Sequence, residues 1–120
     1  MPNEAEAITI GFADDFEANL YALAKRYRSI RNDFEPVIEQ IQAGNFIGDR
    51  IPGMGEDYII LKVRVKNSNI QKGKSAGYRR IYQVESPSIV LLLTIYSKSD
   101  RTDISLNEIR SIIAEFDENE

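Results

Sequence analysis

The segment "IVLLLTI" at 89–95 is apolar at nearly every position, and this narrows the possible folds more than any other feature of the chain. Successive side chains of a strand point to opposite faces of its sheet, so a strand built from this segment has no face to give to water. The segment predicts a central strand. It follows "GYRRIYQV" across a short turn near Ser86–Ser88, which predicts an antiparallel hairpin of strands at 78–85 and 89–96.

A third strand is predicted at 58–66. There "LKVRVK" alternates Leu61, Val63 and Val65 with Lys62, Arg64 and Lys66. The apolar set is expected against a core and the three cations on the opposite face. The cations continue beyond this strand. Seven of the fifteen in the chain (Lys62, Arg64, Lys66, Lys72, Lys74, Arg79 and Arg80) lie between Leu61 and Gln83, with no acid among them. The rest of the molecule then holds eight cations against nineteen acids, so a chain of net charge −4 carries one concentrated basic stretch. An outer sheet face solvated by lysine and arginine would also show this alternation. Like charges gathered on adjacent strands repel, however, and favour an anion-binding surface.

The remaining elements follow from periodicity and caps. "AITIGF" predicts an opening strand. Phe16, Leu20, Leu23, Ala24 and Tyr27 recur at helical spacing behind Asp14 and Asp15, which are read as its cap. A second helix is predicted from Asn32 or Asp33, with Phe34, Val37, Ile38 and Ile41 inward, Pro36 in its first turn and Gly44 as its stop. The short link between the two predicts an antiparallel hairpin. Only a small strand near Arg50–Ile51 is expected in the glycine-rich stretch that follows. Ser105 and Glu108 form a capping-box pattern, with Ile104 and Ile109 as its staple, and open a final helix buried through Ile109, Ile112, Ile113 and Phe116. The fold class is thus α+β in one domain over 1–120, with 115–120 a frayed tail. Asp100 and Asp103 are read as turn residues.

Composition removes several chemistries. The chain has no cysteine and no histidine, so disulfides, thiolate catalysis, histidine acid–base catalysis and the usual zinc ligands are absent. No metal site and no cofactor are expected. The acidic start lacks a signal-peptide layout and no apolar run could span a bilayer, so a cytoplasmic protein without membrane contact is expected. "GKS" at Gly73–Ser75 is not a nucleotide-binding P-loop, because Ser68 stands where the earlier glycine belongs and a strand follows in place of a helix. It reads instead as a basic, glycine-hinged loop.

Two segments, "LKVRVKNSNIQKGKSAGYRRIYQV" and "VLLLTIYSKSDRTDIS", make the chain resemble the RelE/ParE toxin superfamily, and most closely its HigB/RelE-type branch. The resemblance implies a RelE-like fold of the order already read: short strand, helical hairpin, antiparallel sheet, C-terminal helix. It also implies a toxin of a type II toxin–antitoxin module that cuts mRNA in the ribosomal A site and is held inactive by a cognate antitoxin. By position, Lys62 and Arg64 resemble the family's basic strand pair, Arg79 its phosphate-binding arginine, and Lys98 the basic residue after the last strand. Lys62, Arg64 and Arg79 are therefore the candidate catalytic residues. Lys66, Lys72, Lys74, Arg80, Tyr96, Lys98 and Arg101 are the candidate substrate-binding ones. The chain departs from the best-known members at Ser99, where they have an arginine, and at Ser105, where they have a tyrosine.

The implied chemistry needs little from the protein. RNA brings its own nucleophile in the 2′-hydroxyl, and cleavage leaves a 2′,3′-cyclic phosphate. The protein aligns that oxygen and stabilises the charge on the phosphoryl group, a task suited to arginine forks. A lysine crowded only by cations gives up its proton more readily, which makes Lys62 the candidate base. Two other outcomes stay open: a ParE-like inhibitor of a partner such as DNA gyrase, and a member of the same fold that binds without cutting.

Overall fold

The computed structural model describes residues 8–70 and 77–118. Its elements are β1 (Thr9–Phe12), α1 (Asp14–Arg26), α2 (Ile30–Gln42), β2 (Asp49–Arg50), β3 (Ile59–Val65), β4 (Tyr78–Ser86), β5 (Ile89–Ser97) and α3 (Leu106–Glu118). The strands form one sheet in the order β1-β5-β4-β3-β2. β2 through β5 pair antiparallel, and β1 joins β5 in parallel. The fold is α+β, and no helix among the described residues is long and apolar enough to cross a membrane.

The apolar segment lies in β5, an interior strand between β1 and β4. Val90, Leu92 and Ile95 join Phe16, Leu23, Ile30, Phe34, Val37 and Ile41 of the helical hairpin in one core cluster. Leu91 and Leu93 join Ile109 and Ile113 of α3 in a second cluster on the opposite side. The sheet is the middle layer, and from Val90 to Ser97 both faces of β5 are buried, while Ile89 at its start is exposed.

The register of β3 follows the same logic. Leu61, Val63 and Val65 are buried with the hairpin, while Lys62 is half-buried and Arg64 and Lys66 are exposed. Each buried aliphatic side chain contributes about 1.5–3 kcal/mol. A slip by one residue would forfeit all three and bury the cations in their place, at a cost of several kcal/mol each.

Three local expectations are revised. α2 begins at Ile30, earlier than the polar residues Asn32 and Asp33 suggest, because the fully buried Ile30 draws an extra turn onto the core. Pro36 consequently lies inside the helix, past its first turn. At α1 the cap position is Ala13, and the Asp15 carboxylate instead accepts hydrogen bonds from Thr94 on β5 (2.6 Å) and Asn19 (3.1 Å). At α3 the Ser105 hydroxyl accepts from the Glu108 amide at 3.1 Å, but the Glu108 carboxylate turns to Arg101 and does not close the box. Residues 119 and 120 of the expected tail lie outside the described residues, and α3 continues through Glu118.

Candidate nucleic-acid interface

β3 and β4 pair with Arg64 opposite Arg79, and β4 and β5 pair with Arg79 opposite Tyr96. Directly opposed residues share a face, so these three side chains form one row across the sheet. Lys62, two residues before Arg64 on β3, stands beside this row on the same face. The cluster made with α3 takes up Ile60, Ile81, Leu91, Leu93 and Tyr96 and stops at the edge of the cations. The three candidate catalytic residues therefore come together where α3 leaves the sheet.

Their environments differ. Arg64 is exposed on the strand surface. Arg79 is only 4% exposed, and one guanidinium nitrogen donates to the Tyr78 carbonyl at 3.0 Å. Its pKa is lowered, first by loss of solvent and then by the facing Arg64. Tyr96 is nearly buried, and its phenol pKa is raised by burial and then by the nearby Asp103.

Asp103 is the residue that sequence reasoning missed. Its carboxylate lies 3.6 Å from the Lys62 ammonium, accepts from the Tyr96 hydroxyl at 3.5 Å and accepts from the Ile104 amide at 2.8 Å. The Ile104 bond is the main cause of its lowered pKa, with Lys62 and Lys98 adding to it against a desolvation penalty. The basic stretch has no acid of its own, and the turn after β5 brings one to it. Lys62 is thus not surrounded by cations alone, and the ground for reading it as the general base is removed.

The other candidates are dispersed. Lys66 is exposed one residue past β3, and Lys98 sits just after β5 with its ammonium donating to the Thr102 carbonyl at 2.6 Å. Arg101 stacks 5.3 Å from the centre of the Tyr96 ring and gives its fork to Glu108 at 2.6 and 3.1 Å, which ties it to the start of α3. Lys72 and Lys74 lie outside the described residues. Among the described residues no three acids come together in a set that could hold a metal ion.

Arg80 is a correction. It follows Arg79 on a strand, so it points to the opposite face, and there it is 3% exposed with its guanidinium over the rings of Phe16 (5.0 Å) and Phe34 (4.6 Å). It cannot join the cation row or reach a substrate lying there. Its Nε and one terminal nitrogen have no hydrogen-bond partner among the described residues. Burial lowers its pKa to about 10. A base with a depressed folded pKa binds its proton more tightly in the unfolded chain. The charge therefore costs stability below about pH 10, and the cost fades as pH rises toward the unfolded value. Arg80→Met is expected to stabilise the fold by about 1–2 kcal/mol, because relief of the desolvation exceeds the lost ring contacts. Thermal unfolding checks this.

No known family model matches this sequence, and no curated protein is similar enough to count as a relative. The reading of the site therefore stands on its own geometry and on the residues quoted above.

Proposed function

We propose that this chain is the toxin of a type II toxin–antitoxin module, of the HigB/RelE-type branch of the RelE/ParE superfamily, and that it cuts mRNA on the ribosome in the cytoplasm. The observation that carries this reading is the row of Arg64, Arg79 and Tyr96 with Lys62 beside it, in which Arg64 is exposed, Lys62 half-buried, and Arg79 and Tyr96 buried at the border of the cluster made with α3. It offers a phosphodiester an exposed guanidinium and a half-buried ammonium, with a second guanidinium and a tyrosine buried beside them on the same face. Such a set aligns a ribose 2′-hydroxyl and stabilises the charge that develops on the phosphoryl oxygens, with no metal or cofactor called for. The element order is also the one that the resemblance implies. In this reading a cognate antitoxin covers the protein until it is released.

One observation favours a second reading, in which the protein binds without cutting, either on RNA or as a ParE-like inhibitor of a partner such as DNA gyrase. Lys62 already faces Asp103, and no other side chain on the row is an evident proton acceptor. Induction in a bacterial host followed by mapping of mRNA 5′ ends in ribosomes separates the two. Breaks inside A-site codons support the nuclease. Growth arrest with intact mRNA and altered DNA supercoiling supports the inhibitor.

A further inference from the structure

We propose that Asp103 is an internal occupant of the anion seat, and that nucleic acid binds the cationic face only by displacing its carboxylate. This rests on the reading of that face as an RNA surface. One carboxylate oxygen lies 3.6 Å from the Lys62 ammonium and 3.5 Å from the Tyr96 hydroxyl, so it takes contacts that a phosphate oxygen on this face would otherwise take. These two contacts are long, and long contacts exchange readily. The short one, 2.8 Å to the Ile104 amide, belongs to the local turn and keeps the acid at the mouth of the site. The side chain is 67% exposed, so solvent is open to it when it swings aside. A phosphate that arrives while it stays in place meets a like charge at close range. Asp103 thereby sets which anions the face accepts.

The test is the isosteric substitution Asp103→Asn, whose amide oxygen still accepts from Ile104 and so preserves the turn. The probe is a short fluorescein-labelled oligouridylate, titrated by anisotropy at several salt concentrations into wild type, Asp103→Asn and Arg64→Ala, with thermal unfolding of each. Asp103→Asn is expected to bind about fivefold more tightly, the factor that corresponds to ~1 kcal/mol of repulsion between unit charges 4 Å apart in water. Its salt dependence should steepen by roughly 0.7 of a counterion, since Lys62 would then neutralise a phosphate in place of Asp103. A purely structural role for Asp103 would not steepen that slope. Equal or weaker binding by Asp103→Asn, with binding weakened in Arg64→Ala, overturns the occupant role and leaves the RNA surface standing. Failure of all three proteins to bind, while folded, overturns both.

Discussion

Replacing Arg79 by alanine is expected to lower mRNA cleavage about 10²- to 10³-fold, the loss that follows removal of one preorganised donor from a developing oxyanion. Arg79 lies between Arg64 and Tyr96 in the cation row, and its exposure of 4% means that little water would screen its charge against a bound phosphate. The low exposure also means that truncation could disturb packing, so the measurement is paired with thermal unfolding and with Arg79→Lys. Lysine keeps a positive charge but not the planar fork, and it should restore less than a tenth of the lost activity. Cleavage at the wild-type rate in Arg79→Ala would remove this residue from the mechanism.

Gly77→Ala is expected to be the most destabilising single substitution near the site. Gly77 sits where the chain enters β4, and a Cβ there would lie 2.0 Å from the Val65 carbonyl oxygen and 3.0 Å from the Asn67 amide nitrogen. Both obstacles are backbone, and neither can rotate away. The Gly77 carbonyl also accepts from the Lys98 amide at 2.8 Å, so a shift of this residue carries into the segment after β5. The cost is about 3 kcal/mol, at the upper end of overpacking, and should lower the unfolding midpoint by roughly 10 °C. Alanine at Gly11, whose new Cβ would meet only the Leu91 side chain at 3.4 Å and Phe116 at 3.9 Å, is the comparison for a glycine without backbone crowding. Equal midpoints for Gly77→Ala and wild type would show that the close approach is not a constraint.

Much of the architecture is written in local patterns. The apolar run of β5, the alternation in "LKVRVK" and the Ser105 cap each depend on spacing along a few residues. Side-chain periodicity and backbone capping are properties of the chain near each position, which is why these elements are found where the pattern predicts them. The grouping of Lys62, Arg64 and Arg79 was legible for the same reason, once two adjacent strands and their alternation were in hand. Arg80 shows the limit of composition: it was counted with the basic stretch, yet the alternation that aims Arg79 at the row aims its neighbour into the hairpin core.

What tertiary structure alone decided is which charges meet. Nothing near Lys62 in sequence announces Asp103, and nothing near Arg26 announces Asp100, which lies 2.6 Å from it. Both acids lie in the turn between β5 and α3, and loop closure over such separations is set by the packing of the whole core. The attraction between unit charges at a few ångströms is about 1 kcal/mol in water, too small to direct the fold and large enough to tune a site. Local spacing therefore places the strands, the final helix and the shared face of Lys62, Arg64 and Arg79. The fold decided that Arg80 is withdrawn into the core and that an aspartate occupies the cationic face, because pairing across distant segments depends on where packing brings the chain together.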